Sequence, residues 1–359
     1  MPDPPGPREG GSEAGRWRPA GREITFGPMV ERRAVTGSGA DRMTSALRVE
    51  NIDAAARCVD PAFLNSPQVV DASMTRRIGG ELILKLEIFN PVRCFKGRGA
   101  DFFMRGGGPN TQVVCASAGN FGQAIAYAAR GRGIRATVFC AGSANPVKVT
   151  RIRDLGANVR LGGADFDAAK DAARAYASGE EGRFFVEDGH EPRISEGAGT
   201  IAAELAPLQP DVIFVPVGNG ALISGIGCWM KARSPGTRIV GVCAAGAPAM
   251  AESWRHGHLI TSAEVTTIAD GVAVRVPVPA ALEWMSEFVD DMILIGDAQL
   301  REALRIARDT IGLILEPSGA LGIAAALHHQ IPGRKPAAIV TGSNFSADVL
   351  AELITEQPS

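Results

Sequence analysis

From about residue 80 onward, short β-branched runs alternate with amphipathic stretches of helical length. Strands are expected at Leu82–Glu87, Gln112–Ala116, Arg135–Cys140, Asn158–Leu161, Phe184–Glu187, Val212–Val217, Arg238–Cys243, Met292–Ile295 and Ala337–Thr341. Helices are expected at Asn120–Arg130, Pro146–Leu155, Asp165–Ala177, Glu196–Leu205, Ala221–Ala232, Pro248–His256, Asp297–Thr310, Gly319–His329 and Phe345–Ile354. Strands alternating with helices of this length form βαβ units, and so parallel sheets covered by helices. The chain has 359 residues, 45% of them hydrophobic, which is enough for two α/β lobes rather than one. Asp297 reads as a helix N-cap.

In sheets of this kind, ligands bind where the carboxyl ends of strands meet helix N-termini. Three such loops stand out. Ser117-Ala118-Gly119-Asn120-Phe121 can turn backbone N–H groups toward a carboxylate, and Asn120 can donate to a phenolic oxygen. Gly218-Asn219-Gly220-Ala221-Leu222 is small enough for N–H groups to converge on a phosphate. It has neither a Walker lysine nor a GxGxxG spacing, so neither a nucleoside triphosphate nor a dinucleotide is favoured. Thr341, closing the last strand, can place a hydroxyl against a ring nitrogen, and Glu316 lies at another helix start. Taken singly, each of these loops is equally an ordinary turn, connector or cap.

Lys96 completes the set. It follows the turn Asn90-Pro91 and Phe95, and precedes small residues that can open a helix, Gly97-Arg98-Gly99-Ala100. A lysine in a half-apolar niche can lose charge by desolvation, and a neutral amine can hold a carbonyl cofactor covalently. A Schiff-base lysine, a phosphate cup, an amide for a phenol and a hydroxyl for a ring nitrogen together describe a pyridoxal phosphate site.

On these residues the chain resembles the fold-type II pyridoxal-phosphate enzymes, and within them the threonine/serine dehydratases (threonine ammonia-lyases). The resemblance runs from about Leu82 to about Ser346 and includes Thr267-Ile268-Ala269-Asp270-Gly271. It implies a tryptophan synthase β-like fold: two three-layer αβα lobes with largely parallel sheets and the active site between them. It also implies roles. Lys96, preceded by Phe95, carries the cofactor and accepts the Cα proton. Asn120 bonds the cofactor's phenolic oxygen; Gly218, Asn219, Gly220, Ala221 and Leu222 cup its phosphate. Thr341 meets the ring nitrogen with Glu316 nearby. Ser117, Ala118, Gly119, Asn120 and Phe121 clasp the substrate carboxylate. Some residues depart from the usual pattern: Cys94, Phe121, Asn219 and Ala221, and Cys243 where cation-binding relatives have glutamate. No metal is expected, since a thiol on an apolar strand suits a hard cation poorly.

The activity implied is elimination of water and ammonia from a β-hydroxy amino acid such as L-threonine or L-serine, giving a 2-oxo acid. The alternatives are β-replacement and, in another class, a non-catalytic cofactor-binding protein. Ala118 stands where the family's serine racemases have serine, so elimination is expected without racemisation.

The lobes are expected at 110–195 (small) and at 43–109 with 196–359 (large). Residues 1–42, rich in Gly, Pro, Arg and Glu without apolar periodicity, read as a disordered tail, with Met43 a candidate start. A net charge of −2 and 6% aromatic residues argue against nucleic acid or an anionic membrane as partner. Six cysteines without CxxC spacing, and no apolar run long enough to span a bilayer, suggest a cytoplasmic enzyme with reduced thiols. A homodimer acting on a small amino acid is expected.

Overall fold

The structure, a computed structural model, describes residues 47–108, 110–329, 335–345 and 350–351. The tail at 1–42, Met43 and most of the helix expected at 345–354 lie outside these residues.

Among the described residues, ten strands occur in chain order: β1 Gln68–Val69, β2 Ile83–Leu86, β3 Gln112–Ala116, β4 Arg135–Cys140, β5 Asn158–Leu161, β6 Arg183–Phe185, β7 Val212–Pro216, β8 Arg238–Ala244, β9 Asp291–Ile295 and β10 Pro336–Val340. Twelve helices join them: α1 Val49–Cys58, α2 Ala72–Ile78, α3 Lys96–Met104, α4 Asn120–Arg130, α5 Pro146–Asp154, α6 Phe166–Ser178, α7 Pro192–Leu205, α8 Ala221–Arg233, α9 Ala249–His256, α10 Pro279–Phe288, α11 Asp297–Ile311 and α12 Leu321–His328.

The strands form two sheets, ordered β1-β2-β10-β7-β8-β9 and β5-β4-β3-β6. Every pairing is parallel except the short edge pair β1–β2. The central strands β2 and β7 are buried along their whole length, as parallel strands covered on both faces must be. The helix α12 is apolar around most of its circumference and is buried at six of its eight positions.

The alternation in the sequence placed β3, β4, β5 and α4 at their observed bounds, and the other expected elements that lie within the described residues within a few residues. Four differences are physical. The strand β1 is too short to show periodicity. The helix α10, absent from the expected elements, begins with Pro279 at its first position, where a missing N–H is harmless. The helix α7 starts at Pro192 for the same reason, four residues before the expected start. Asp297 is not a cap: Gly296 holds that position. Asp297 instead accepts bonds from Thr267 Oγ1 (2.7 Å) and Ile268 N (3.0 Å), bracing the long strap between α9 and α10.

Strand order fixes where a ligand can enter. In the large sheet the chain steps outward from β7 to β8 and β9, while β10 sits on the other side of β7. In the small sheet it steps outward from β3 to β4 and β5, while β6 sits on the other side of β3. Each reversal opens a crevice at the carboxyl ends of two neighbouring strands. The crevices belong to β7 and β10 in one sheet and to β3 and β6 in the other.

Candidate active site

Both crevices open into one cavity of about 760 Å³. Its wall contains Phe95 and Lys96, the β3 loop Ser117–Phe121, the β7 loop Gly218–Leu222, Glu316 and Thr341. The residues singled out in the sequence are therefore brought together, from segments more than 200 positions apart.

Lys96 is the first residue of α3, and local bonds fix its place. The Asn90 amide donates to the carbonyls of Glu87 and Cys94 (both 3.1 Å) and its oxygen accepts from Val92 N (3.1 Å), so one side chain closes the turn. Phe95 N donates to Thr341 O (3.1 Å), and Cys94 bridges Gly342, tying this turn to the end of β10. Two residues on, Arg98 is fully buried and bonds Glu87 through Nε and Nη2 (both 2.8 Å) and Glu204 through Nη1 (2.6 Å) and Nη2 (2.9 Å). Lys85 adds a bond to Glu204 (2.5 Å). Two cations thus meet two carboxylates in bidentate geometry, which is what allows such charges to lie in the interior. Burial works against the charge of Glu204, but the bonds from Arg98 and Lys85 more than offset it and hold its carboxyl below the usual range.

The Lys96 amine sits 4.6 Å from the Phe95 ring centroid and donates to Asp188 Oδ2 at 2.5 Å. The niche is therefore not simply half-apolar, as the sequence suggested, because it contains an acid. Asp188 follows β6, at the same kind of strand end as the other loops, and that rule alone could have flagged it. The same holds for Asn344, which follows β10, but not for Ser318, which lies in a turn before α12. Asn120 gives one amide hydrogen to Glu316 Oε1 (2.7 Å) and its oxygen accepts from Asn344 Nδ2 (2.9 Å), which leaves one amide hydrogen for a ligand. Burial, with Asp270's charge nearby, pushes the Glu316 carboxyl up to about 7, against bonds from Asn120 and Asn344 N. Thr341 Oγ1 donates to Ser318 O (3.3 Å), so it must turn to serve a ring nitrogen. Ser117 Oγ accepts from Gly119 N (3.1 Å), which shapes the β3 loop.

The β7 loop fits a phosphate by shape and by donors. Gly220 caps α8 in the left-handed region (φ 89°), and a Cβ there would come within 2.9 Å of Ala281 Cβ. The first N–H groups of α8 have no carbonyl of their own helix to bond, and the helix dipole favours an anion there. An amine, an anion cup, a spare amide hydrogen and a hydroxyl line one cavity with room for a pyridine ring and an amino acid. These residues fit pyridoxal phosphate.

At the mouth, ion pairs cross between the sheets. Lys148 on α5 pairs with Asp270 of the strap, and the strap's Arg275 pairs with Asp167 and, at 3.5 Å, with Asp165. Among the described residues no cluster of His, Cys, Asp or Glu could hold a metal ion, and no helix is long and apolar enough to cross a membrane.

Comparison with known proteins gives the family. Residues 59–342 match the model of the family described as pyridoxal-phosphate dependent enzyme, and the chain belongs to that family. Within it, the chain is 32% identical to the L-threonine ammonia-lyase of Thermotoga maritima, over 86% of this chain and 79% of that protein. It is 30% identical to the biosynthetic L-threonine dehydratase of Bacillus subtilis, over 86% and 76%. Among solved structures, maize serine racemase superposes with a TM-score of 0.80 at 28% identity, covering 86% of this chain and 97% of that one. A processed threonine deaminase isoform 2 from Solanum lycopersicum gives 0.78 at 27%, covering 97% and 98%. The fold is the fold-type II arrangement of two helix-covered parallel sheets with the site between them.

Proposed function

We propose that this enzyme eliminates water and ammonia from a β-hydroxy amino acid such as L-threonine or L-serine, releasing a 2-oxo acid. The observation that carries this reading is the single cavity lined by Lys96, the Ser117–Phe121 loop, the Gly218–Leu222 cup, Glu316 and Thr341. The threonine ammonia-lyase relatives support the substrate class.

Lys96, backed by Phe95, would hold the cofactor; Gly218, Asn219, Gly220, Ala221 and Leu222 would cup its phosphate. Asn120 would offer its spare amide hydrogen to the phenolic oxygen, and Thr341 and Glu316 would face the ring nitrogen. Bound pyridoxal phosphate supplies the electron sink that makes the substrate's Cα–H acidic. Ser117, Ala118, Gly119, Asn120 and Phe121 clasp the substrate carboxylate at the head of α4, which orients Cα. Lys96, on the cavity wall beside the carboxylate-binding loop, would be the base that takes the Cα proton. Ala118 carries no exchangeable proton, so the opposite face of Cα has no acid from that position and elimination proceeds without racemisation.

The lobes would divide at 110–195 against 43–109 with 196–359, and the enzyme would act as a cytoplasmic homodimer. Release of 2-oxo acid from a panel of β-hydroxy and β-substituted amino acids tests the reading. No release from threonine or serine by cofactor-loaded protein would sink it. Chiral chromatography of L-serine incubations tests the second part, since early D-serine would mean that another residue acts on the far face.

A further inference from the structure

We propose that Asp188 is a second catalytic residue, which carries the proton that Lys96 removes from Cα to the departing β-hydroxyl. This rests on the elimination reading above. The chain leaves β6 at Phe185 and turns at Gly189 (φ 85°), where a Cβ would sit 2.2 Å from the Asn219 carbonyl oxygen. The missing side chain lets this loop lie against the phosphate cup and sets Asp188 on the cavity wall, 9% exposed. Its Oδ2 accepts from Lys96 Nζ at 2.5 Å, and its Oδ1 is buried without a hydrogen-bond partner among the described residues. The adjacent Glu187 is committed to Lys170 (3.2 Å) and Arg174 (2.7 Å).

Two consequences follow. A buried carboxylate with one donor is poorly compensated. When the Lys96 nitrogen holds the cofactor, or stands as a neutral base, Asp188 lacks even that ammonium partner, and its donor has to come from the ligand. The β-hydroxyl of a serine or threonine has a hydrogen to give. Moreover, nothing pins Oδ1, so the carboxyl is free to turn about its broad terminal torsion and move a proton from one neighbour to the other.

The step balances. The Cα–H bond breaks and its proton goes to the Lys96 nitrogen, while the electron pair becomes the Cα–Cβ π bond. Lys96 passes the proton to Asp188, which gives it to the β-oxygen as the Cβ–O bond breaks. The bonding pair leaves with oxygen, water departs, and Lys96 and Asp188 end as they began. No outside oxidant or reductant is needed.

A leaving group that needs no proton separates this role from a merely supporting one. Asp188→Asn and wild type would be compared on L-serine and on β-chloro-L-alanine, whose chloride leaves unprotonated. Serine elimination should fall roughly 100-fold or more, the scale of general acid catalysis, and chloroalanine elimination less than about threefold on the same reasoning. Exchange of the L-alanine Cα proton in D2O, which involves no leaving group, should persist in the variant and show that Lys96 still works. In cofactor-free protein, acylation of Lys96 read by peptide mass spectrometry should rise in the variant, because its carboxylate partner is gone. Parallel losses on both substrates, no loss on serine, loss of alanine exchange or unchanged Lys96 labelling would each overturn the proposal. Wild-type enzyme that releases 2-oxo acid from neither substrate is a different failure, because it removes the elimination reading itself.

Discussion

The inner side of α3 and the mouth of the cleft both use ion pairs, under opposite physical conditions. Behind α3, Arg98 and Lys85 are fully buried against Glu87 and Glu204, with nearly every polar atom engaged. At the mouth, Arg275 and its partners Asp165 and Asp167 are between 32% and 52% exposed. A pair in water is worth little and weakens with salt. A buried pair adds little over an apolar core, but losing one partner strands the other, which is costly. The interior network therefore holds Lys96 in register, and the mouth can open at small expense. Lys96 and Asp188 lie between these extremes, at 16% and 11% exposure.

Breaking the interior should have the largest effect. Arg98→Ala leaves two buried carboxylates short of a partner and should destabilise the fold by about 3–5 kcal/mol, read by urea unfolding; a loss below about 1 kcal/mol, the surface-pair scale, would erase the contrast. Lys96→Ala comes next and sharpens it: turnover should vanish, while the urea midpoint falls less than in Arg98→Ala, because the stranded Asp188 is less deeply buried than Glu87. Retention of wild-type rates of 2-oxo acid release would remove Lys96 from the mechanism.

The third effect concerns pH. Glu316, buried without a cation of its own, is pushed from 4.5 up to about 7, and Glu196 likewise, first by burial in both cases. A carboxyl with a raised folded pKa binds more protons folded than unfolded, so stability falls as pH rises between 4.5 and about 7. Glu204 is lowered, so its contribution is present at neutral pH and is lost as pH falls below its usual range. Glu316→Gln in cofactor-free protein should gain up to about 3 kcal/mol relative to wild type across the Glu316 window, with the sign reversed for any loss confined to acid. Identical pH slopes for the two proteins would contradict this.

The smallest effect belongs to the mouth. Arg275→Ala should leave the urea midpoint close to wild type, because an exposed pair is worth little. Its influence on KM should shrink as salt is raised. A large, salt-independent loss of stability would show that the strap is part of the core.

The two-lobe α/β plan is legible along the chain, because β-branched runs and helical periodicity are local properties. The sequence also marked Lys96, by the turn and the Phe95 before it, and Asn120, the Gly218–Leu222 cup and Thr341, which lie at strand ends where turn chemistry is readable. Which strand ends face one another follows from the packing of the two sheets. The neighbours β7 and β10 are far apart in sequence, as are β3 and β6, and their crevices share a cavity only because the two sheets pack with their carboxyl ends toward it. Asp188 beside Lys96, and Asn120 bound to Glu316, depend on that packing. A side chain's hydrogen-bond partner is whatever the fold brings within 3 Å or so, and no periodicity along the chain encodes that.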